Sequence, residues 1–150
     1  MRALVQRVSE ASVAVDNAVT GQIGRGLLVL LGVRNTDTPA QARQLAAKVA
    51  GLRIFDDQNG KMNRSVQDVE GEILVVSQFT LYADTRKGHR PSYSDAAKSS
   101  LAQPLYDMFV KDCREIGLRV ATGVFGADMK VRLINEGPVT ILCETDYSVS

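Results

Sequence analysis

Three small polar side chains interrupt an apolar run in Glu72-Ile73-Leu74-Val75-Val76-Ser77-Gln78-Phe79-Thr80-Leu81-Tyr82. Burying a hydroxyl or an amide without a partner costs roughly 1–3 kcal/mol by mutational measures, so Ser77, Gln78 and Thr80 need a reason to be there. Either they tie the end of a strand to a neighbouring loop, or they form a site. A serine hydrolase would need a base, and the chain has one histidine, His89, in a segment rich in turn residues and with no G-x-S-x-G elbow in reach. His89 therefore reads as a solvated loop residue. Asp56-Asp57 and Asp84 fall in turn-like sequence, which does not suit paired-carboxylate chemistry. The stretch from Gly21 to Gly26 opens no helix, so it does not read as a phosphate loop, and no nucleotide cofactor is expected. Cys113 and Cys143 stand on apolar-patterned segments without ligand spacing and read as reduced core thiols; no metal site is expected. What remains is a base-free site of small polar groups and backbone amides. Such a site can still act on an activated ester, because one preorganised donor to the carbonyl oxygen is worth about 3–4 kcal/mol in known cases.

The elements that must position this cluster follow from periodicity. Residues 72–82 read as a strand of six or more residues bounded by Gly71 and Ala83-Asp84-Thr85. Ala3–Val8, Ser12–Val15 and Val19–Ile23 read as a meander with Asp16-Asn17 as a turn, and the continuous apolar run Leu27–Val33 as a central strand. Thr38-Pro39-Ala40-Gln41 is a capping box with proline at the first helical position; Ala42, Leu45, Ala46, Val49 and Leu52 follow at helical spacing, with Gly51 as the stop. Arg53-Ile54-Phe55 reads as a short strand, Asp57–Gly60 as a tight turn, and residues 61–71 as loop.

Asp84 to Tyr93 reads as an exposed loop carrying Arg86, Lys87 and Arg90. Ser100-Leu101-Ala102-Gln103 suggests a second capping box, followed by a core-facing stripe of Leu105, Met108, Phe109, Cys113 and Ile116 up to Gly117. Leu118–Ala121, Asp128–Ile134 and Val139–Glu144 read as strands, Asn135–Pro138 as a connection, and Thr145–Ser150 as a frayed tail. The expected class is α+β, with mainly antiparallel sheets forming a partly closed, barrel-like core and two principal flanking helices.

At 150 residues the chain suits one domain over residues 1–150, large enough to bury about 70% of its unfolded surface. A net charge of +1 argues against broad wrapping of nucleic acid or a DNA partner, while a local basic patch could still grip a few phosphates. No apolar run approaches the roughly 20 residues of a membrane span, and the charged N-terminal segment lacks a signal-peptide core. A cytoplasmic protein without a membrane partner is expected.

Two motifs carry a family resemblance. Ser77-Gln78-Phe79-Thr80 resembles the S-Q-x-T motif, and Asn135-Glu136-Gly137-Pro138-Val139-Thr140 the N-x-G-P-V-T motif, of the D-aminoacyl-tRNA deacylases. The likeness continues through Gln6-Arg7-Val8, Gly26–Val33, Arg53-Ile54-Phe55, Lys61-Met62-Asn63 and Ala127-Asp128-Met129. It implies a homodimer with each active site at the subunit interface. It also implies a hydrolase that removes D-amino acids, and glycine mischarged on tRNA(Ala), from the tRNA 3′ end. A cis Gly137-Pro138 peptide would reach from one subunit into the other's pocket and reject L side chains by clash. Ser77, Gln78, Phe79 and Thr80 would form the catalytic strand end, with backbone N–H groups near Phe79-Thr80 polarising the carbonyl. Thr80 would attack directly, or orient water or the terminal 2′-hydroxyl; with no neighbouring base the second role is favoured. Phe125 would lie near the terminal adenosine, or pack in the core. Arg86, Lys87 and Arg90 follow the motif closely enough to meet tRNA phosphates, which is an inference from position and not a family motif. The competing readings are a dimeric aminoacyl-tRNA or RNA-end binding module without turnover and, third, a small-molecule esterase.

Overall fold

The computed structural model describes residues 1–145, a mixed sheet curled into a nearly closed barrel with two helices on its outside. The first strand, β1 (Arg2–Val15), is the hub: it pairs antiparallel with β2 (Ala18–Ile23), β3 (Gly26–Gly32) and β8 (Lys130–Glu144). β3 continues in parallel to β6 (Glu72–Ser77), and β6 in parallel to β7 (Arg119–Thr122). The pairing is thus mainly antiparallel, with two parallel steps that sequence patterning did not reveal. β2 returns against β7 so closely that a Cβ on Gly21 would sit 2.4 Å from the Thr122 carbonyl oxygen. Only glycine fits there.

The unbroken apolar run of β3 is explained by burial on both faces. Leu27, Val29 and Leu31, with Ile73 and Val75 of β6, pack against the helices α1 (Pro39–Gly51) and α2 (Ser99–Ile116). Leu28, Leu74 and Val76 face the other way, with Val8, Val13 and Ile23, and fill the barrel. Phe109 and Cys113 of the α2 stripe are fully buried, whereas Ile116 ends up exposed at the last turn. Cys113 and Cys143 are both buried free thiols, as their apolar setting implies.

Local signals at the first helix hold. Gln41 Oε1 accepts from the Thr38 N–H at 2.7 Å and from its hydroxyl at 2.5 Å, with Pro39 in the first turn. Gly51, however, stays helical, and the chain leaves through an extended Leu52. Gly117 does close α2 in the left-handed region. α2 starts at Ser99 rather than at a box on Ser100, because the Lys98 carbonyl already accepts from Leu101 and Ala102 at 3.0 and 2.8 Å.

Further expectations are corrected. Ala3–Val8 and Ser12–Val15 are one strand, since β8 pairs along both and absorbs the offset in irregularities around Val8. Part of the 61–71 segment is ordered as β5 (Met62–Arg64), which pairs with β4 (Phe55–Asp56) across the Asp57–Gly60 turn, so the short strand expected at 53–55 sits later. Asn135–Pro138 is not a connection between strands. It is an irregularity inside β8, which begins at Lys130 and not at Asp128; the Asn135 side chain replaces ladder bonds, accepting from Val139 N–H at 2.8 Å and donating to its carbonyl at 3.2 Å. Of the tail, Thr145 is tied by its N–H to the Met1 carbonyl at 3.0 Å; residues 146–150 lie outside the described residues. No helix among the described residues is long and apolar enough to cross a membrane.

Candidate active site

The strand expected to run to Tyr82 stops at Ser77. Gln78 N–H donates to the Leu31 carbonyl at 2.8 Å, and one residue later β3 itself ends, leaving the chain without a ladder partner. It curls into a 3-10 turn over Phe79–Tyr82, with Leu81 N–H on the Gln78 carbonyl at 3.3 Å and Ala83 N–H on the Thr80 carbonyl at 3.0 Å. The first N–H groups of any helical turn have no acceptor within it. Here those are the N–H groups of Phe79, which lines a cleft, and of Thr80 next to it in the chain.

That cleft, about 510 Å³, is lined by Ser77, Gln78 and Phe79 together with Phe125, Gly126 and Met129. The structure thus brings Ser77, Gln78, Phe79 and Phe125 together. Thr80 does not line the cleft; its hydroxyl accepts a short hydrogen bond from Gln78 Nε2, which fixes the amide at the strand end. Phe125 is half-buried and leans on Tyr106, ring centroids 5.7 Å apart. The Tyr106 hydroxyl donates to the Val75 carbonyl at 3.0 Å. Burial, with the Asp107 charge beside it, pushes that phenol up to about 12, so it stays neutral and acts as a fixed prop.

Sequence reasoning missed Tyr106, Lys98 and Ser99, all on the cleft wall. Tyr106 was hidden within an ordinary helical stripe. Lys98 and Ser99 could have been found only by asking what the start of α2 faces.

Gly137 and Pro138 lie elsewhere. Their peptide bond is cis, and both residues are exposed. Gly137 lines a separate recess with Arg7, Ser9, Arg25, Phe55, Asp56 and Glu136, sharing no residue with the cleft. Arg7 holds this segment: its Nε donates to the Glu136 carbonyl at 2.9 Å and its Nη1 to the Ile54 carbonyl at 2.9 Å.

Arg86, Lys87 and Arg90 are exposed on a loop whose ends are clamped by Asp84 and Ser92, bonded to each other through N–H and carbonyl at 2.7 and 2.9 Å. Arg86 folds back onto Asp84, Nη2 to Oδ2 at 2.7 Å, and its hydrogen bonds hold the Asp84 carboxyl down at about 2. His89 is exposed on the same loop. Among the described residues no three His, Cys, Asp or Glu side chains gather as a metal-holding group.

Fold and cleft together define a barrel-like α+β domain with a cleft at the end of β6. The family description D-Tyr-tRNA(Tyr) deacylase matches residues 4–144. A D-aminoacyl-tRNA deacylase of Anaeromyxobacter dehalogenans is 61% identical over 145 residues, covering 97% of this chain and 97% of that protein. One of Roseiflexus sp. is 59% identical over 145 residues, covering 97% and 94%. The solved structure of the c-Myc DNA Unwinding Element Binding Protein superposes with a TM-score of 0.92 at 40% identity, covering 98% of this chain and all of that one. The chain belongs to the D-Tyr-tRNA(Tyr) deacylase family and is a hydrolase.

Proposed function

We propose that this protein hydrolyses the ester of D-aminoacyl-tRNA in the cytoplasm as a homodimer, releasing the amino acid and tRNA, and that it also clears glycine mischarged on tRNA(Ala). The N–H groups of Phe79 and Thr80 would hold the developing oxyanion, Gln78 would fix the strand end, and Phe125 would meet the terminal adenosine. Thr80 is read as a positioning group: its hydroxyl is engaged by Gln78 and no base stands beside it, so water or the terminal 2′-hydroxyl is the attacking group. Arg86, Lys87 and Arg90 would meet phosphates of the incoming strand.

The observation that carries this reading is the separation of the two motifs in one chain. The cleft has no residue in common with the Gly137 recess, while Gly137-Pro138 is exposed and held from behind by Arg7. In this reading a second copy brings that exposed pair to the cleft. Placed against the substrate Cα, it would leave a D side chain free and clash with an L one, while glycine would pass.

Mixing subunits tests this. Pro138→Ala chains should cleave the L ester, and random exchange with an equal amount of Gln78→Ala chains, whose own clefts are impaired, should about halve that L cleavage, because half of the Pro138→Ala clefts then face an intact partner Gly137-Pro138. L cleavage unchanged by the exchange would place both motifs' work within one subunit and overturn the shared site.

A further inference from the structure

Among the described residues, Phe55, Phe109, Tyr82 and Tyr106 are buried and Phe125 is half-buried in the cleft. Phe79 and Tyr93 differ: they are 59% and 41% exposed and lie against each other, centroids 5.2 Å apart at 67°. Single exposed rings are ordinary on a protein surface. Two packed edge to face at the mouth of an active cleft are not explained by the core, since neither ring joins it.

The backbone is arranged to make this pair. Asp84 and Ser92 close the loop between them, so that Tyr93 is delivered back to Phe79 although 14 positions separate them. The loop so closed carries Arg86, Lys87 and Arg90, all exposed. In an edge-to-face pair the ring that offers its edge keeps its own faces free. Exposed rings with adjoining cations are what sequence-tolerant sites for single-stranded nucleic acid use: the rings take bases and the cations take phosphates.

We propose that Phe79 and Tyr93 form a stacking platform for the base next to the terminal adenosine of the tRNA 3′ end. The proposal rests on the deacylase reading above and extends it. The terminal nucleoside occupies the cleft by Phe125; the chain then passes over Phe79, its preceding base stacks on the Phe79–Tyr93 pair, and its phosphates face the basic loop. This gives the enzyme a grip on single-stranded RNA that works for any tRNA and any amino acid.

The test uses the full-length protein, intact D-Tyr-tRNA, and the same ester on tRNA lacking the penultimate base. Tyr93→Ala should lower kcat/KM for intact tRNA about tenfold, mainly through the half-saturating concentration, as stacking losses of this kind do. Tyr93→Phe should restore it, because the ring and not the hydroxyl does the stacking. On base-less tRNA the same Tyr93→Ala change should cost less than twofold, since the partner is already gone. Equal losses on both tRNAs, or no loss on either, would overturn the platform; a change of oligomeric state in Tyr93→Ala with equal losses would assign the pair to contact with a second copy instead. Should the wild type cleave neither ester, the deacylase reading falls, and the platform is then judged alone by 2-aminopurine at the penultimate position of uncharged tRNA. Quenching by the wild type and not by Tyr93→Ala supports it, and equal fluorescence refutes it.

Discussion

Arg7 spans two elements at once: its guanidinium holds the Glu136 carbonyl and the Ile54 carbonyl, each at 2.9 Å, and stands 3.5 Å from the Asp56 carboxylate. A residue of β1 thereby fixes the segment that leads into Gly137-Pro138. At Gly137, φ is 141°, and a Cβ there would sit 2.9 Å from Val139 Cγ2 and 3.2 Å from Arg7 Nη2.

Arg7→Ala should therefore loosen the Gly137 segment. Hydrogen bonds from a charged donor are worth about 1.5–3 kcal/mol each, and partial replacement by water reduces the loss. A fall in melting temperature of a few degrees is expected, together with a rise in L-Tyr-tRNA cleavage relative to D. Arg7→Lys should recover little, since a single ammonium does not reproduce a planar fork that reaches two carbonyls. Thermal melts and the ratio of the two cleavage rates check this.

Thr80→Ala should slow single-turnover deacylation by about tenfold, through a Gln78 amide that loses its partner, and not abolish it. Were Thr80 the nucleophile, the variant would fall to the buffer rate. Rapid-quench measurement of the first turnover separates the two.

Of the three loop cations, Arg86 is already occupied: Nε and Nη2 grip Asp84 at 3.0 and 2.7 Å. Lys87 and Arg90 have no such ion pair among the described residues. Lys87→Ala and Arg90→Ala should each reduce the salt slope of tRNA binding by about 0.7, the single-strand value for one phosphate contact, and Arg86→Ala by less. Titrations at several salt concentrations check the order.

Burial pushes the Cys113 thiol up to about 12, with Asp112 adding to it, and raises Cys143 as well. Neither thiol should react with Ellman's reagent in the folded protein at pH 8, and both should react on unfolding. The sign for stability follows. Folded pKa values of Cys113 and Tyr106 lie above their unfolded ones, so their contribution is whole below about pH 9 and is lost as pH rises toward 12. Melting temperature should fall across that interval.

Much of this was legible in the sequence for local reasons. The Thr38–Gln41 cap, the β3 run and the Asp57–Gly60 turn each carry their cause within a few residues. The strand end at Ser77 was not, because it is set by where β3 stops, a long-range fact. Asn135–Pro138 looked like a turn because Asn, Gly and Pro are turn residues; the Asn135 side chain, standing in for ladder bonds, lets the strand run on. The candidate residues at 77–79 and 125 do line one cleft, but Tyr106 and Lys98 reach it only through the packing of α2. That the cleft and Gly137 belong to separate recesses could come only from the fold.

Chiral selection is the centre of the account, and single-turnover deacylation of D-Tyr-tRNA and L-Tyr-tRNA by the purified protein tests it most directly. Rapid loss of the D ester with the L ester at its buffer rate is the predicted result. Equal rates for the two esters, or no cleavage of either above buffer, would contradict it.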